Sequence, residues 1–229
     1  MLTASAMHGA IVEVMSTKFP ANVKPNGAIA FLDRDGVINI GSPNYINNPD
    51  EVKLLDGAAE AIGDLKRQGF LICIVTNQSA IARQLWGPNR LSQIHERLQS
   101  MIIEIDNDAT IDLIVTCPHR QIDRCKCRKP MPGMLYLGES CLRDGLKLDK
   151  GLNTNIEIPD QVVKVNWWRE KPPATNPLDL IIGDRKSDLG AGWARGVRLF
   201  KVNQHIGINQ VIHRVINTND EGDDFQPVR

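Results

Sequence analysis

The residues of this chain that could do chemistry fall into two groups. The first is scattered: Asp33 and Asp35 in "FLDRDGVIN", Thr76 in "VTNQS", Lys129 in "CRKP", and Asp184 with Asp188 in "IIGDRKSD". Carboxylates gathered in one place can hold a hard divalent cation such as magnesium, which takes few protein ligands and keeps several waters. A hydroxyl and an ammonium beside them would complete a phosphoryl-binding site, because phosphoryl oxygens require donors and positive charge. Each piece alone is weak evidence. A D-x-D after a strand often serves as an Asx turn or helix cap; Thr76 could close a strand end, Lys129 could be a solvated charge, and "GDRKSD" could simply cap the next helix. Chance accounts poorly for all of them in the order aspartate pair, threonine, lysine, aspartate pair.

The second group is compact. Cys117, His119, Cys125 and Cys127 crowd into "CPHRQIDRCKC". Three thiols and an imidazole suit tetrahedral zinc, although the C-x-H spacing departs from common finger patterns, and unpaired thiols are the plain alternative. Four protein ligands would close the coordination sphere and leave no position for an activated water. Such an ion would be structural, pinning the loop that leads into Arg128 and Lys129. Cys73 and Cys141 fall in apolar patterns, the usual setting of a buried inert thiol. An odd cysteine count argues against a disulfide framework.

Something rigid must bring the scattered group together. Apolar runs "AIAFL", "FLICIVTN", "IDLIVT", "LDLIIGDR" and "VRLFKV" read as buried strands. Between them, "DGAAEAIGDLKRQG", "RLSQIHERLQSMIIEI", "MPGMLYLGESCLRDG" and "SDLGAGWARG" read as helices. In the first helix Asp56 is the expected N-cap, Ala58, Ala61, Ile62 and Leu65 form one apolar face, and Gly69 stops it. This alternation predicts an α/β fold, a three-layer Rossmann-like parallel sheet with helices on both faces. Such sheets place their sites at the carboxyl ends of strands, where Asp33, Thr76 and Asp184 fall. Gly36 would allow the chain its sharp exit from the first strand.

One domain over residues 27–216 is expected, with a loose N-terminal extension at 1–26 and an acidic, frayed tail at 217–229. Residues 150–177 lack a helical period and read as an irregular insertion, in which Trp167 and Trp168 are expected to pack against the core. "GSPNYINNPDEV" reads as a short flap, too small for a large cap domain. The 229 residues can bury a full core, and 42% apolar with 24% charged residues is ordinary for a globular protein. A formal net charge of zero argues against a nucleic-acid or anionic-membrane surface. No apolar stretch reaches membrane-spanning length, and the first residues lack the marks of a secretory signal or transit peptide. A cytoplasmic, monomeric enzyme is expected.

The four scattered motifs, spanning Ala28 to about Val202, resemble those of the haloacid dehalogenase (HAD) superfamily of phosphohydrolases. That resemblance implies a HAD-like fold with a minimal cap and assigns a role to each residue. Asp33 would be the nucleophile that forms an aspartyl-phosphate, and Asp35 the general acid and base. Mg2+ would be held by the Asp33 carboxylate, the Asp35 carbonyl and Asp184, with Asp188 in or near the layer behind them. Thr76 would hydrogen-bond the transferring phosphoryl group and Lys129 would neutralise it.

More narrowly, "FLDRDG", "TNQSAIAR", "CPH…CKCRKP" and "PGML" are similar to the D-glycero-D-manno-heptose 1,7-bisphosphate phosphatases, which remove the 7-phosphate. Histidinol-phosphate phosphatases share much of this pattern, including a Zn2+ loop, and polynucleotide 3′-phosphatases share the motif set. "SAIAR" and "PMPGML" favour the heptose enzymes. The short gap from His119 to Cys125 and the arginine of "GDR" favour the histidinol side, and Ala80 stands where heptose enzymes usually have glycine. With a sugar bisphosphate, Arg128 would meet the distal phosphate while Asn77 and Arg83 lined the same pocket. The expected partner is a small phosphorylated metabolite, neither nucleic acid nor membrane.

Overall fold

The computed structural model describes residues 9–15 and 18–227. All five apolar runs form strands: β2 (Ile29–Leu32), β3 (Leu71–Asn77), β4 (Leu113–Cys117), β6 (Leu180–Gly183) and β7 (Arg198–Lys201). They pair in parallel in the order β4-β3-β2-β6-β7. Parallel strands need crossover connections, and the helices supply them: α1 (Ala58–Arg67), α2 (Pro88–Ile105), α3 (Gly133–Leu142) and α4 (Lys186–Arg195).

Alternate residues of each strand face opposite layers. Ala30 and Leu32 of β2 join a core with Ile62 and Leu65 of α1 and Ile94, Leu98 and Ile102 of α2. Ile29 and Phe31 join the other core with Leu135 of α3 and Ala191 of α4. This covering on both faces is why the strands read as continuous apolar runs.

Two regions expected to lie outside the regular fold belong to the sheet. Residues 10–14, assigned to a loose extension, form β1 (Ala10–Val14), antiparallel to β4 with Ile11 opposite Thr116. The insertion contributes β5 (Gly151–Ile156), antiparallel to β1 at the sheet edge. Each strand is short and preceded by no crossover pattern, so only its spatial neighbour reveals it. Trp167 packs as expected, stacked on Trp193 with ring centroids 5.8 Å apart, whereas Trp168 is exposed.

The expectation of a frayed tail also fails over its described residues. Arg214 of a further short helix, α5 (Ile212–Ile216), binds Asp220 and Asp223, and the Asp223 carboxylate accepts from the Lys201 N–H. The acidic residues are ion-pair partners, not a repelling run. At α1, Gly57 occupies the N-cap at φ 74°, so Asp56 does not cap the helix. Among the described residues no helix is long and apolar enough to cross a membrane.

Candidate active site

Asp33 follows β2 directly, and its backbone N–H donates to the Ile182 carbonyl at 3.0 Å, tying two strand ends together. Asp184 follows β6, and Thr76 lies near the end of β3. Two glycines make the convergence possible. Gly36 has φ +81°, and a Cβ there would stand 3.0 Å from the Asp184 carboxyl carbon. At Gly183 a Cβ would stand 2.1 Å from the Asp188 Cβ, so only glycine lets α4 bring that side chain back over β6.

Lys129 enters from the loop before α3. Its Nζ donates to Asp33 Oδ1 at 2.8 Å, Asp188 Oδ1 at 2.7 Å and the Val75 carbonyl at 2.7 Å. Burial works against its charge, but the carboxylates of Asp188 and Asp33 hold its pKa above the usual lysine value. The acidic side remains in excess: carboxylate oxygens of Asp33, Asp184 and Asp188 lie within 4.8 Å of one another. Burial, together with repulsion from Asp188 that Lys129 only partly offsets, pushes Asp33 up to about 7. Burial and Asp188 raise Asp184 as well, and its Oδ1 is buried without a hydrogen-bond partner. Hard oxygen donors, surplus negative charge and an orphaned oxygen fit a divalent cation.

Asp35 differs. Its carboxylate accepts from Arg34 Nε at 3.2 Å and Nη2 at 2.9 Å, Asn39 Nδ2 at 2.9 Å and Gln78 Nε2 at 2.9 Å. Burial opposes ionisation, but the Arg34 charge and these donors outweigh it and hold the pKa below the usual carboxylate range. Gln78 also donates to Thr76 Oγ1 at 2.9 Å, linking hydroxyl and carboxylate.

A cleft of about 1050 Å³ opens over these groups. Asp33, Asp35, Thr76, Lys129, Asp184 and Asp188 line its floor, while the exposed Arg124, Lys126 and Arg185 line its rim. The flap borders it through Gly41, Ser42, Pro43 and Tyr45, and Tyr45 Oη lies 3.1 Å from Ser79 Oγ. Of the expected substrate residues, Arg128 lines the cleft, with Nη1 donating to the His119 carbonyl at 2.9 Å. Asn77 also lines it, but its amide is engaged by the Lys129 backbone on both sides. Arg83 does not line the cleft; it is exposed, because the turn after Ser79 carries it outward.

The four members of the compact group are together. Cys125 Sγ lies 3.4 Å from Cys117 Sγ and 3.5 Å from Cys127 Sγ, and His119 Nδ1 lies 3.6 Å and 3.3 Å from Cys117 and Cys127. Zinc–sulfur bonds of about 2.3 Å imply tetrahedron edges near 3.8 Å, and a nitrogen corner shortens them to about 3.5 Å. The cluster fits that size and is far too open for a disulfide. Donation from the Cys117 and Cys127 thiols lowers the Cys125 pKa, and the contacts with Cys117 and then Cys125 raise that of Cys127. Burial, then the Cys125 contact, raises Cys117. A cation is what would ionise all three together.

Sequence reasoning gave no role to Arg34, Asn39, Gln78, Glu13 or His95. His95 left a trace: it shares the buried face of α2 with Leu91, Ile94, Leu98 and Ile102, a polar residue where the helical period demands an apolar one.

Residues 28–155 match the family described as Polynucleotide kinase 3 phosphatase, more than half of the 229-residue chain. A D-glycero-β-D-manno-heptose-1,7-bisphosphate 7-phosphatase from Pseudomonas aeruginosa is 43% identical over 113 residues, 49% of this chain and 62% of that relative. The chain spans 62%, 58% and 60% of the length of three such curated relatives. Two solved structures share the fold. A HAD-like phosphatase from Mesorhizobium loti superposes with a TM-score of 0.65 at 22% identity, covering 96% of this chain and 97% of the other. A D,D-heptose 1,7-bisphosphate phosphatase from B. bronchiseptica, complexed with magnesium and phosphate, gives 0.59 at 24% identity, covering 81% and 98%.

Proposed function

The chain belongs to the polynucleotide kinase 3 phosphatase family of HAD-like phosphatases, and from that premise we propose that it is a magnesium-dependent phosphomonoester hydrolase, removing the 7-phosphate of D-glycero-D-manno-heptose 1,7-bisphosphate. The observation that carries the reading is Lys129, whose buried ammonium bridges Asp33 and Asp188 at 2.8 and 2.7 Å on the floor of an open cleft. Asp33 is fixed at the end of β2, where its carboxylate attacks phosphorus. Lys129 and Thr76 take the charge that develops on the phosphoryl oxygens. Asp35 gives a proton to the departing alkoxide, then withdraws one from the water that opens the aspartyl-phosphate.

Asp33, Asp184 and Asp188, with the Asp35 carbonyl, would hold magnesium, which when bound offsets repulsion between the nucleophilic carboxylate and the phosphate dianion. Cys117, His119, Cys125 and Cys127 would hold zinc as a clamp on the loop to Lys129. The side of the cleft carrying the exposed Arg124 and Arg185 and the half-buried Arg128 suits the second phosphate of a bisphosphate.

The test is phosphate release in the presence of magnesium from heptose 1,7-bisphosphate, histidinol phosphate and a 3′-phosphorylated oligonucleotide. Preference for the bisphosphate is expected. Preference for histidinol phosphate would make the short zinc loop the better guide, and preference for the oligonucleotide would make the family's descriptive name literal for this chain.

A further inference from the structure

A line of four polar side chains, three buried and the last half-buried, runs from β1 to the active site. Glu13 on β1 is 2% exposed, His95 on α2 is 0% exposed, and Arg34 is 1% exposed. Glu13 Oε1 lies 2.6 Å from His95 Nδ1, and His95 Nε2 lies 3.3 Å from Arg34 Nη1. The line ends where Arg34 grips Asp35, the member that lines the cleft.

The direction of each bond follows from chemistry. A guanidinium only donates, so His95 Nε2 accepts from Arg34. The imidazole proton therefore sits on Nδ1 and is given to Glu13. Arg34 is consequently held on two edges: Nη1 by His95, Nε and Nη2 by Asp35. A planar fork fixed on both edges cannot rotate, and the carboxylate it grips is aimed with it.

Stability alone does not account for such a line, since buried ionic clusters are often matched or bettered by apolar residues of similar volume. Glu13 lies outside the matched residues 28–155, and β1 is the element that brings it to the site.

We propose that Glu13 and His95 are positioning residues for Asp35, acting through Arg34 to aim the carboxyl group that transfers a proton to the leaving oxygen. The inference rests on the phosphatase reading above. In that step the Asp33–phosphorus bond forms and the phosphorus–alkoxide bond breaks. Asp35 must enter this step as the carboxylic acid; its proton passes to the alkoxide, leaving the carboxylate that later takes a proton from water.

A p-nitrophenolate leaves without a proton, whereas a sugar alkoxide does not. The experiment measures kcat/KM with magnesium on heptose 1,7-bisphosphate and on p-nitrophenyl phosphate, for wild type, His95→Leu, His95→Gln and Asp35→Ala. His95→Leu is expected to lose about 10- to 100-fold on the sugar ester, part of the usual general-acid contribution, and less than about 3-fold on the aryl ester. His95→Gln, which can still accept from Arg34 and donate to Glu13, should recover most of the loss. Equal losses on both esters, or none on either, would overturn the inference. If Asp35→Ala itself shows no leaving-group selectivity, the assignment of Asp35 as acid falls instead. Should the leucine variant not fold, the imidazole 15N spectrum of the wild type decides: protonated Nδ1 with bare Nε2 supports the line, and the opposite tautomer overturns it.

Discussion

Asp33 and Asp35 leave the same strand two residues apart, yet Asp33 meets Lys129 and another carboxylate while Asp35 meets Arg34, Asn39 and Gln78. Burial pushes the first up to about 7, and the second is held below the usual range. These are the directions of the metal-free site and they run opposite to the proposed roles; a cation held by Asp33 and Asp184 would favour the ionised Asp33 that attack requires. Asp33→Asn should reduce phosphate release by at least about a thousandfold, since the proposed nucleophile is gone, while circular dichroism and zinc content stay unchanged. Gly36→Ala should weaken magnesium binding, measured by titration of activity, because the new Cβ crowds Asp184 and the left-handed backbone costs about 1 kcal/mol. The residues that form the floor of the cleft were legible from type and order alone. Gln78 and Arg34 were not, because a glutamine or arginine beside a motif has no distinguishing sequence mark until its partner is placed.

At the scale of elements, the five parallel strands announced themselves as apolar runs closed by polar residues. β1 and β5 did not. "AIVEV" is too short to show a period, and "GLNTNI" is too polar to suggest a strand, so β1 depends on the free edge of β4, and β5 on that of β1, to be strands at all. Ala10, Ile11 and Val12 are buried there. A chain beginning at Met15 should therefore lose at least about 2–3 kcal/mol of stability by denaturant unfolding, the contribution of a few buried aliphatic side chains. It should also self-associate in sedimentation, since β4 becomes an open edge. The loop from Cys117 to Cys127, proposed to hold zinc, is an element of its own. Cys125→Ser should lower the zinc content, read by elemental analysis, and raise KM more than it lowers kcat, because the loop carries Arg128 and leads into Lys129.

At the scale of the molecule, charge links the fold to pH. Asp33 and Asp184 have folded pKa values above their unfolded values. Without metal, these two groups in the folded state thus hold protons that they have released in the unfolded state, and their contribution to stability falls as pH rises from about 4 to about 7. A cation that binds these carboxylates must displace those protons at low pH and need not at high pH. Magnesium is expected to raise the unfolding midpoint more at pH 8 than at pH 5.5; an equal shift at both would contradict a site built on Asp33 and Asp184.

In the proposed mechanism Asp33 becomes phosphorylated during turnover. The direct measurement is acid quench of enzyme mixed with heptose 1,7-bisphosphate and magnesium, borohydride reduction, and mass spectrometry of the peptide containing residue 33. Homoserine at position 33, absent from the Asp33→Asn variant, is the result the account requires. Phosphate release with residue 33 unmodified, or reduction at another carboxylate, would contradict it.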